Sequence, residues 1–429
     1  MISLIQALPM PVRLALLALM GAWLGSFVNW SIYRLAFRQR AISPWGPAPA
    51  IDAATSKKSK KNEIAPRSWR DRIPLLGWIL LARETPLHGT LFWIRPLLLE
   101  LSLAIALPLL YHFEIAGNWL PPIGAIGAPS AAQLHATYLA HIVLLLLLTV
   151  ATFIDFDEKT IPDEITVPGT LLALLLALLL PQSHLPALIL SPQGLPIWGN
   201  LTFTSTIEWP SWVDGAAGLA IASAVIVGWS IALVPTIWRF SGGLARGCRL
   251  YLASLARYSR AMIIAGAMAE VIVVIGWLMG DAAWRAMLTS VVGLAFGGGL
   301  IWSVRIVGQI ALRKEAMGFG DVTLMAMIGA FLGWQVALLV FFFSPVTAVI
   351  VSLTQWIFTG RREIAFGPYL ALAAVWVVVR WGLMWEDWAR GIFELGWLIP
   401  IIVGVCLLLM LGLLMTWRII EQLLFGRGS

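Results

Sequence analysis

Charged residues are scarce in this chain. Asp, Glu, Lys and Arg make up 12% of its 429 residues, whereas 60% are hydrophobic. Soluble globular domains carry about 25% charged residues, so this composition excludes an ordinary soluble fold. Apolar runs of roughly 18 to 25 residues recur along nearly the whole length, and each can cross a bilayer as a helix. Because lipid leaves backbone polar groups unsatisfied, the sequence predicts an all-α polytopic integral membrane protein.

Cysteine is also rare. The two cysteines, Cys248 and Cys406, lie far apart and form no CxxC motif, so neither a disulfide framework nor a thiolate metal site is indicated. The histidines show no metal-ligand spacing either, and we expect no bound zinc. The net charge is +7, but the basic residues flank apolar runs. They therefore indicate membrane topology and not a nucleic-acid-binding surface.

The apolar runs predict a bundle of about eleven transmembrane helices. They lie at roughly 12–35, 91–112, 135–154, 164–181, 213–237, 261–279, 286–311, 322–340, 344–359, 366–384 and 394–417. The polar stretch at 38–90 is rich in Lys and Arg, which predicts a small cytoplasmic loop domain after the first helix. With this topology, Asp155 and Asp321 both reach the cytoplasmic face.

These two aspartates are the candidate catalytic residues. Each lies where an apolar run meets a short charged stretch, Asp155 ahead of an Ile-Pro-Asp turn that ends at Asp163, and Asp321 at the end of Gly-Phe-Gly-Asp. Two carboxyl groups held close together share a proton, so one can activate water while the other protonates a peptide carbonyl. Gly318 and Gly320 leave room for a substrate backbone. The pattern favours an aspartyl protease, although either aspartate alone fits an ordinary loop or a helix N-cap.

Several further segments extend the pattern along the chain: Gly25-Ser26-Phe27 with Asn29 and Ile32–Leu35, Ile73–Trp78, Arg95-Pro96 with Glu100, Asp155 with Ile161–Asp163, Met317–Asp321 with Leu332–Trp334, and Phe366–Tyr369. In order and spacing they resemble the type IV prepilin peptidases, which are GxGD intramembrane aspartyl proteases. The resemblance implies that Asp155 and Asp321 are catalytic, with Asp163 in a supporting role. It implies cleavage of prepilins or pseudopilins, the substrates of type IV pilus and type II secretion systems, at the cytoplasmic face of the inner membrane. It also implies methylation of the new N-terminus with S-adenosylmethionine, whereas proteolysis needs no cofactor.

The chain departs from that family in two respects. Family members often carry two CxxC pairs that bind zinc in the first cytoplasmic loop, and this chain has none there. Methyltransferase activity is therefore left open, and no cofactor-binding residue is assigned. The two aspartates also lie farther apart than in the family, which suggests an insertion. The predicted organisation is helix one at 1–37, the loop domain at 38–90, membrane helices at 91–238 and 286–429, and an inserted loop and helix at 239–285.

Other readings of the sequence stay open. The chain could be a divergent GxGD protease with another substrate, or a non-catalytic scaffold or transporter in which Glu100 and Glu270 line an ion path. Structural roles are the alternative for both glutamates, with Glu270 either paired with Arg305 or protonated and facing the bundle. The acidic residues around the Ile-Pro-Asp turn are hypothesised to attract a basic leader peptide; they are Asp157, Glu158, Asp163 and Glu164. The oligomeric state is not predicted.

Overall fold

The computed structural model describes residues 6–36, 67–116, 119–121, 127–190, 194–205, 207–234, 260–313, 317–359, 365–396 and 398–424. Much of the predicted loop domain and the first part of the predicted insertion lie outside these residues. The chain divides into two compact units. The first contains Met1–Asn118 and Leu145–Pro162, and the second contains Trp119–Leu144 and Asp163–Ser429.

The first unit is built on two long helices joined by short helical turns. Its elements are α1 (Met10–Leu35), a 3-10 turn (Trp69–Arg72), α2 (Leu76–Leu81), a second 3-10 turn (Ala82–Glu84), α3 (Thr85–His88) and α4 (Ile94–Tyr111), which continues into a π-helical turn (His112–Ala116). Gly21 and Gly25 lie one turn apart on the face of α1 that packs against α4. A methyl group at Gly21 would overlap the carbonyl oxygen of Leu103, and one at Gly25 would lie 2.7 Å from the Cα of Glu100. This small-residue spacing lets the two backbones approach closely.

Helix α5 (Ala131–Glu158) carries the first candidate aspartate close to its C-terminal end. Its residues from Leu145 onward belong to the first unit. The helix ends where Lys159 adopts a left-handed φ of 57°, and the Lys159 N–H donates to the carbonyl of Asp155 at 2.8 Å. This left-handed residue closes the helix in the manner of a C-terminal cap.

The second unit is mainly helical but includes one hairpin. Its elements are α6 (Asp163–Leu179), 3-10 turns at Pro181–Ser183 and Ser211–Asp214, β1 (Pro186–Leu190), β2 (Pro196–Asn200), α7 (Ala216–Ala232), α8 (Arg260–Met279), α9 (Asp281–Leu312), α10 (Phe319–Leu332), α11 (Trp334–Thr359), α12 (Gly367–Val379), α13 (Trp381–Met384), a π-helical turn (Trp385–Ala389), α14 (Arg390–Phe393) and α15 (Leu398–Leu424). The antiparallel hairpin pairs Leu188 with Trp198. The sequence predicted only an outer loop in this stretch.

Helices α9 and α10 pack most tightly in the second unit. Methyl groups at Gly293 and Gly329 would each overlap the carbonyl oxygen of the other glycine, and one at Gly297 would overlap the carbonyl of Met325. Small residues four positions apart allow such close backbone contact between membrane helices. This packing holds α10, which carries the second candidate aspartate, directly against the longest helix of the unit.

The membrane character predicted from the sequence is confirmed. Among the described residues, seven helices are long and apolar enough to cross a membrane, and the count becomes eight if α12 and the helical turns after it form one span bent by 80°. Helices α7 and α10 are apolar but shorter. The chain is therefore an all-α polytopic membrane protein, whereas the predicted number of eleven spans stays a prediction.

One predicted helix boundary is wrong. The sequence predicted spans at 322–340 and 344–359, but α10 ends at Leu332 and α11 runs without a break through Pro345. The turn is made by Gly333, whose φ of 87° favours glycine. Pro345 leaves the carbonyl of Phe341 without its helical donor. The Ser344 hydroxyl donates to that carbonyl at 2.8 Å, so the helix continues.

Candidate active site

Asp155 lies in the last turns of α5 and is buried. Its residue exposure is 5%, and the preceding Ile154 is fully buried. The following Phe156 is 54% exposed. The helix therefore presents the candidate carboxylate inward and the next side chain outward. A buried carboxyl group at a helix end, close to a charged loop, fits the position that water-dependent hydrolysis requires.

Asp157 has a defined partner that the sequence did not reveal. The Arg95 guanidinium donates to both carboxylate oxygens of Asp157, at 2.8 and 2.9 Å. The same guanidinium lies over the Phe153 ring, 4.9 Å from its centroid. In the sequence, Arg95 stands near Glu100, in the same motif segment. Asp157 is 62 residues away from Arg95, and their ion pair was not predicted from the sequence.

Glu100 is fully buried and serves as a structural acceptor in the first unit. Its carboxylate accepts hydrogen bonds from the Ser26 hydroxyl at 2.6 Å, the Trp78 indole at 2.8 Å, the Leu75 backbone N–H at 2.6 Å and the Asn29 amide at 3.3 Å. These donors join α1, α2 and the residue just before α2 to α4. A carboxylate surrounded by donors is stable when buried, which supports the structural interpretation of this residue.

Two ion pairs organise the described part of the first loop. Arg83 donates to both oxygens of Asp71 at 2.7 Å, and Arg67 holds Glu84 at 2.8 and 2.7 Å. The hydrogen bonds from Arg83 lower the pKa of Asp71 from 3.8 to about 2. His88 also lies 3.3 Å from Glu84. The ion pairs join the start of this segment to its end.

Asp321 lies in the first turn of α10, two residues after the first helical residue. Its exposure is 8%, and every later residue of α10 is buried. Gly318 is the N-cap, with φ −68° and ψ 156°, a backbone conformation that any residue adopts. A Cβ at this position would lie 3.6 Å from an Asp321 carboxylate oxygen. The backbone at 318 therefore does not require glycine, and a methyl group there would make an ordinary van der Waals contact with the carboxylate.

All of the candidate site residues except Asp155 lie in the second unit. Gly318, Gly320 and Asp321 lie together at the start of α10, and Asp163 is half-buried at the start of α6, a helix that packs against α10. Asp155 belongs to the first unit. Glu270 on α8 accepts a hydrogen bond from Ser223 on α7, in place of the predicted pairing with Arg305. The Arg305 guanidinium lies over the Phe319 ring, 5.6 Å from its centroid.

Within the described part of the chain, no group of three or more His, Cys, Asp or Glu residues could hold a metal ion. Cys406 is exposed and unbonded, and Cys248 lies outside the described residues. The prediction that the protein binds no zinc stays a prediction.

The segment around Asp321 is similar to a known protein family. Residues 257–353 match the type IV leader peptidase family. The resemblance to the type IV prepilin peptidases is confirmed. The matched segment contains Gly318, Gly320 and Asp321, whereas Asp155 lies outside it. It begins within the predicted insertion at 239–285, whose boundaries stay a prediction.

Curated relatives agree with this assignment. A prepilin leader peptidase/N-methyltransferase of Stutzerimonas stutzeri is 40% identical over 105 residues, which is 24% of this chain and 33% of the relative. The Pseudomonas aeruginosa protein of the same name is 37% identical over 93 residues, 21% of this chain and 32% of the relative. The Aeromonas salmonicida protein is 34% identical over 96 residues, 22% and 33% respectively. The chain thus spans about a third of the length of these relatives. No solved structure matches it.

Proposed function

We propose that the protein is a prepilin leader peptidase in which Asp155 and Asp321 form the catalytic pair. The observation that carries the proposal is the buried Asp321 behind Gly-Phe-Gly at the start of α10, within the segment that matches the leader peptidase family. The relatives' printed name supports the same activity. The proposal requires that the Asp155 and Asp321 carboxyl groups approach within a few ångströms.

The chemistry needs only this pair and water. The ionised aspartate removes a proton from water, which attacks the scissile carbonyl carbon. The protonated aspartate donates to the carbonyl oxygen, and proton transfer to the departing amine then completes the cleavage. Gly318 and Gly320 leave the Asp321 carboxylate accessible to an extended peptide. No cofactor takes part in these steps.

The substrates in this proposal are prepilins or pseudopilins in the bacterial inner membrane, cut at the cytoplasmic face. Asp157 is one of the acidic residues hypothesised to attract a basic leader. It already forms an ion pair with Arg95, which offsets its negative charge. The exposed Glu164 then provides part of the attraction. A lysine substitution at Glu164 should weaken the preference for basic leaders, and an unchanged preference would contradict this part.

Methylation of the new N-terminus is a separate proposal. The relatives are named N-methyltransferases, so S-adenosylmethionine is the expected methyl donor. Three buried carboxylates of the first unit, Asp71, Glu84 and Glu100, do not fit a role in holding it, because they already accept hydrogen bonds from protein groups. We therefore assign no residue to the donor. Transfer of a radiolabelled methyl group to a cleaved pilin peptide tests this activity.

The decisive experiment is cleavage of a purified prepilin with a Gly-Phe junction by the detergent-solubilised protein. Asp155→Asn and Asp321→Asn should each abolish cleavage, because neither carboxyl group can act as acid and base alone. Glu270→Gln is the matched control, since it changes another carboxylate in a membrane helix and should leave cleavage intact. Residual cleavage in either aspartate variant would refute the catalytic pair. If the unmodified protein cleaves none of several prepilins, the result would favour a protease with another substrate or a non-catalytic scaffold protein.

A further inference from the structure

Arg95 makes several contacts with the end of α5, and they lie on both sides of Asp155 in the sequence. Its guanidinium holds Asp157 through two hydrogen bonds of 2.8 and 2.9 Å. The guanidinium also covers the Phe153 ring at 4.9 Å and reaches the Phe153 carbonyl at 3.5 Å. The contacted residues thus stand two positions before and two positions after the candidate catalytic aspartate.

These contacts fall on the side of α5 opposite to Asp155. Residues two apart on a helix point in nearly opposite directions, so Phe153 and Asp157 lie away from the buried Asp155 carboxylate. The burial pattern agrees, since Asp155 is 5% exposed whereas the Asp157 side chain is 29% exposed. Arg95 contacts this outer side at Phe153 and at Asp157, which lie about one turn apart. These two contacts together restrict rotation of the helix about its axis. That rotation determines where the Asp155 carboxylate points.

We propose that Arg95 is a positioning residue for Asp155, acting through Asp157 and Phe153. This inference rests on the proposed function. Arginine is suited to the role because its planar guanidinium carries several donors and can lie on an aromatic ring at the same time. Here Nη1 donates to both Asp157 oxygens, and Nη2 donates to the Phe153 carbonyl. A cation is also favourable beside the C-terminal end of a helix, where the last carbonyls carry partial negative charge. The side chain of Arg95 is 37% exposed, so the ion pair contributes little to overall stability.

The first test is a charge exchange measured by prepilin cleavage. Arg95→Ala and Asp157→Ala should each lower kcat by about tenfold or more with KM little changed, because small misplacements of a catalytic group are costly. Arg95→Lys should retain an intermediate rate. The exchanged pair, Arg95→Asp with Asp157→Arg, should recover most of the loss. Single variants that cleave normally would overturn the inference, as would an exchange whose losses simply add. Arg390→Ala, which removes another partly exposed ion pair, is the matched control.

The second test does not depend on cleavage. A nitroxide label at Phe156→Cys, in a background with Cys248→Ser and Cys406→Ser, reports the motion of the end of α5. Phe156 is exposed and contributes nothing to the proposed chemistry. Arg95→Ala should increase the mobility of the label, whereas Arg390→Ala should not. An unchanged spectrum in Arg95→Ala would overturn the inference even if the protein cleaves no prepilin, so a failure of the proposed function can be distinguished from a failure of this inference.

Discussion

The close packing of α9 and α10 leads to a quantitative prediction about Gly329. An added methyl group there would overlap the carbonyl oxygen of Gly293, and relief of the overlap requires the helices to separate by about 1 Å. Overpacking of this kind costs about 1–3 kcal/mol. Alanine also favours helix by about 1 kcal/mol over glycine, so Gly329→Ala should leave the protein between unchanged and about 2 kcal/mol less stable.

The expected effect on activity is larger than the effect on stability. Asp321 lies eight residues before Gly329 on the same helix, about 12 Å along its axis. If Asp321 is catalytic as proposed, a shift of α10 by about 1 Å misplaces its carboxylate and should lower cleavage by roughly 10- to 100-fold. Cleavage kinetics and thermal melting in detergent, measured on the same preparation, separate the two effects.

Gly299→Ala is the control for this prediction. Gly299 lies on α9, and a methyl group there meets no atom within 4 Å. This variant should be equally or slightly more stable and should cleave normally, because only the helix propensity changes. If Gly329→Ala and Gly299→Ala melt and cleave alike, the argument from close helix packing is refuted.

Three further predictions follow from single sites. Gly318→Ala should fold with unchanged melting, because the backbone there suits any residue, but the added Cβ 3.6 Å from the Asp321 carboxylate should lower cleavage by about tenfold; normal cleavage would show that the space is not used. The Asp71 pKa of about 2 against an ordinary value of 3.8 means that the Arg83 ion pair stabilises the loop fully above pH 4 and loses this effect as pH falls towards 2. Proteolysis of the 67–90 segment should therefore accelerate over that window. Asp71→Asn should weaken this pH dependence and leave the part that comes from the Arg67–Glu84 pair; identical profiles would contradict the assignment. Glu100→Gln should destabilise the protein by about 1–3 kcal/mol in thermal melting, since the new amide faces donors that need an acceptor, whereas unchanged melting would indicate that the carboxylate can be replaced.

The membrane class and the candidate Gly-Phe-Gly-Asp site could be predicted from the sequence, because both depend on residues that are close together along the chain. A bilayer requires long apolar helices, and this requirement appears directly in composition and run length. The glycines at 318 and 320 could also be recognised in the sequence, because their small size is a property of the residue itself. The spacing of motif segments along the chain added the family resemblance.

Tertiary structure decided which charged groups are already engaged. The pairing of Arg95 with Asp157, and of Glu100 with donors from α1, α2 and the residue just before α2, joins residues far apart in the chain. The continuation of α11 through Pro345 depends on a single serine hydroxyl, and the 186–200 hairpin depends on pairing between two short strands. Composition and periodicity indicate whether a segment is buried in lipid or exposed to water. They do not indicate which side chain or carbonyl of another segment will contact it, because those contacts form only when the helices pack.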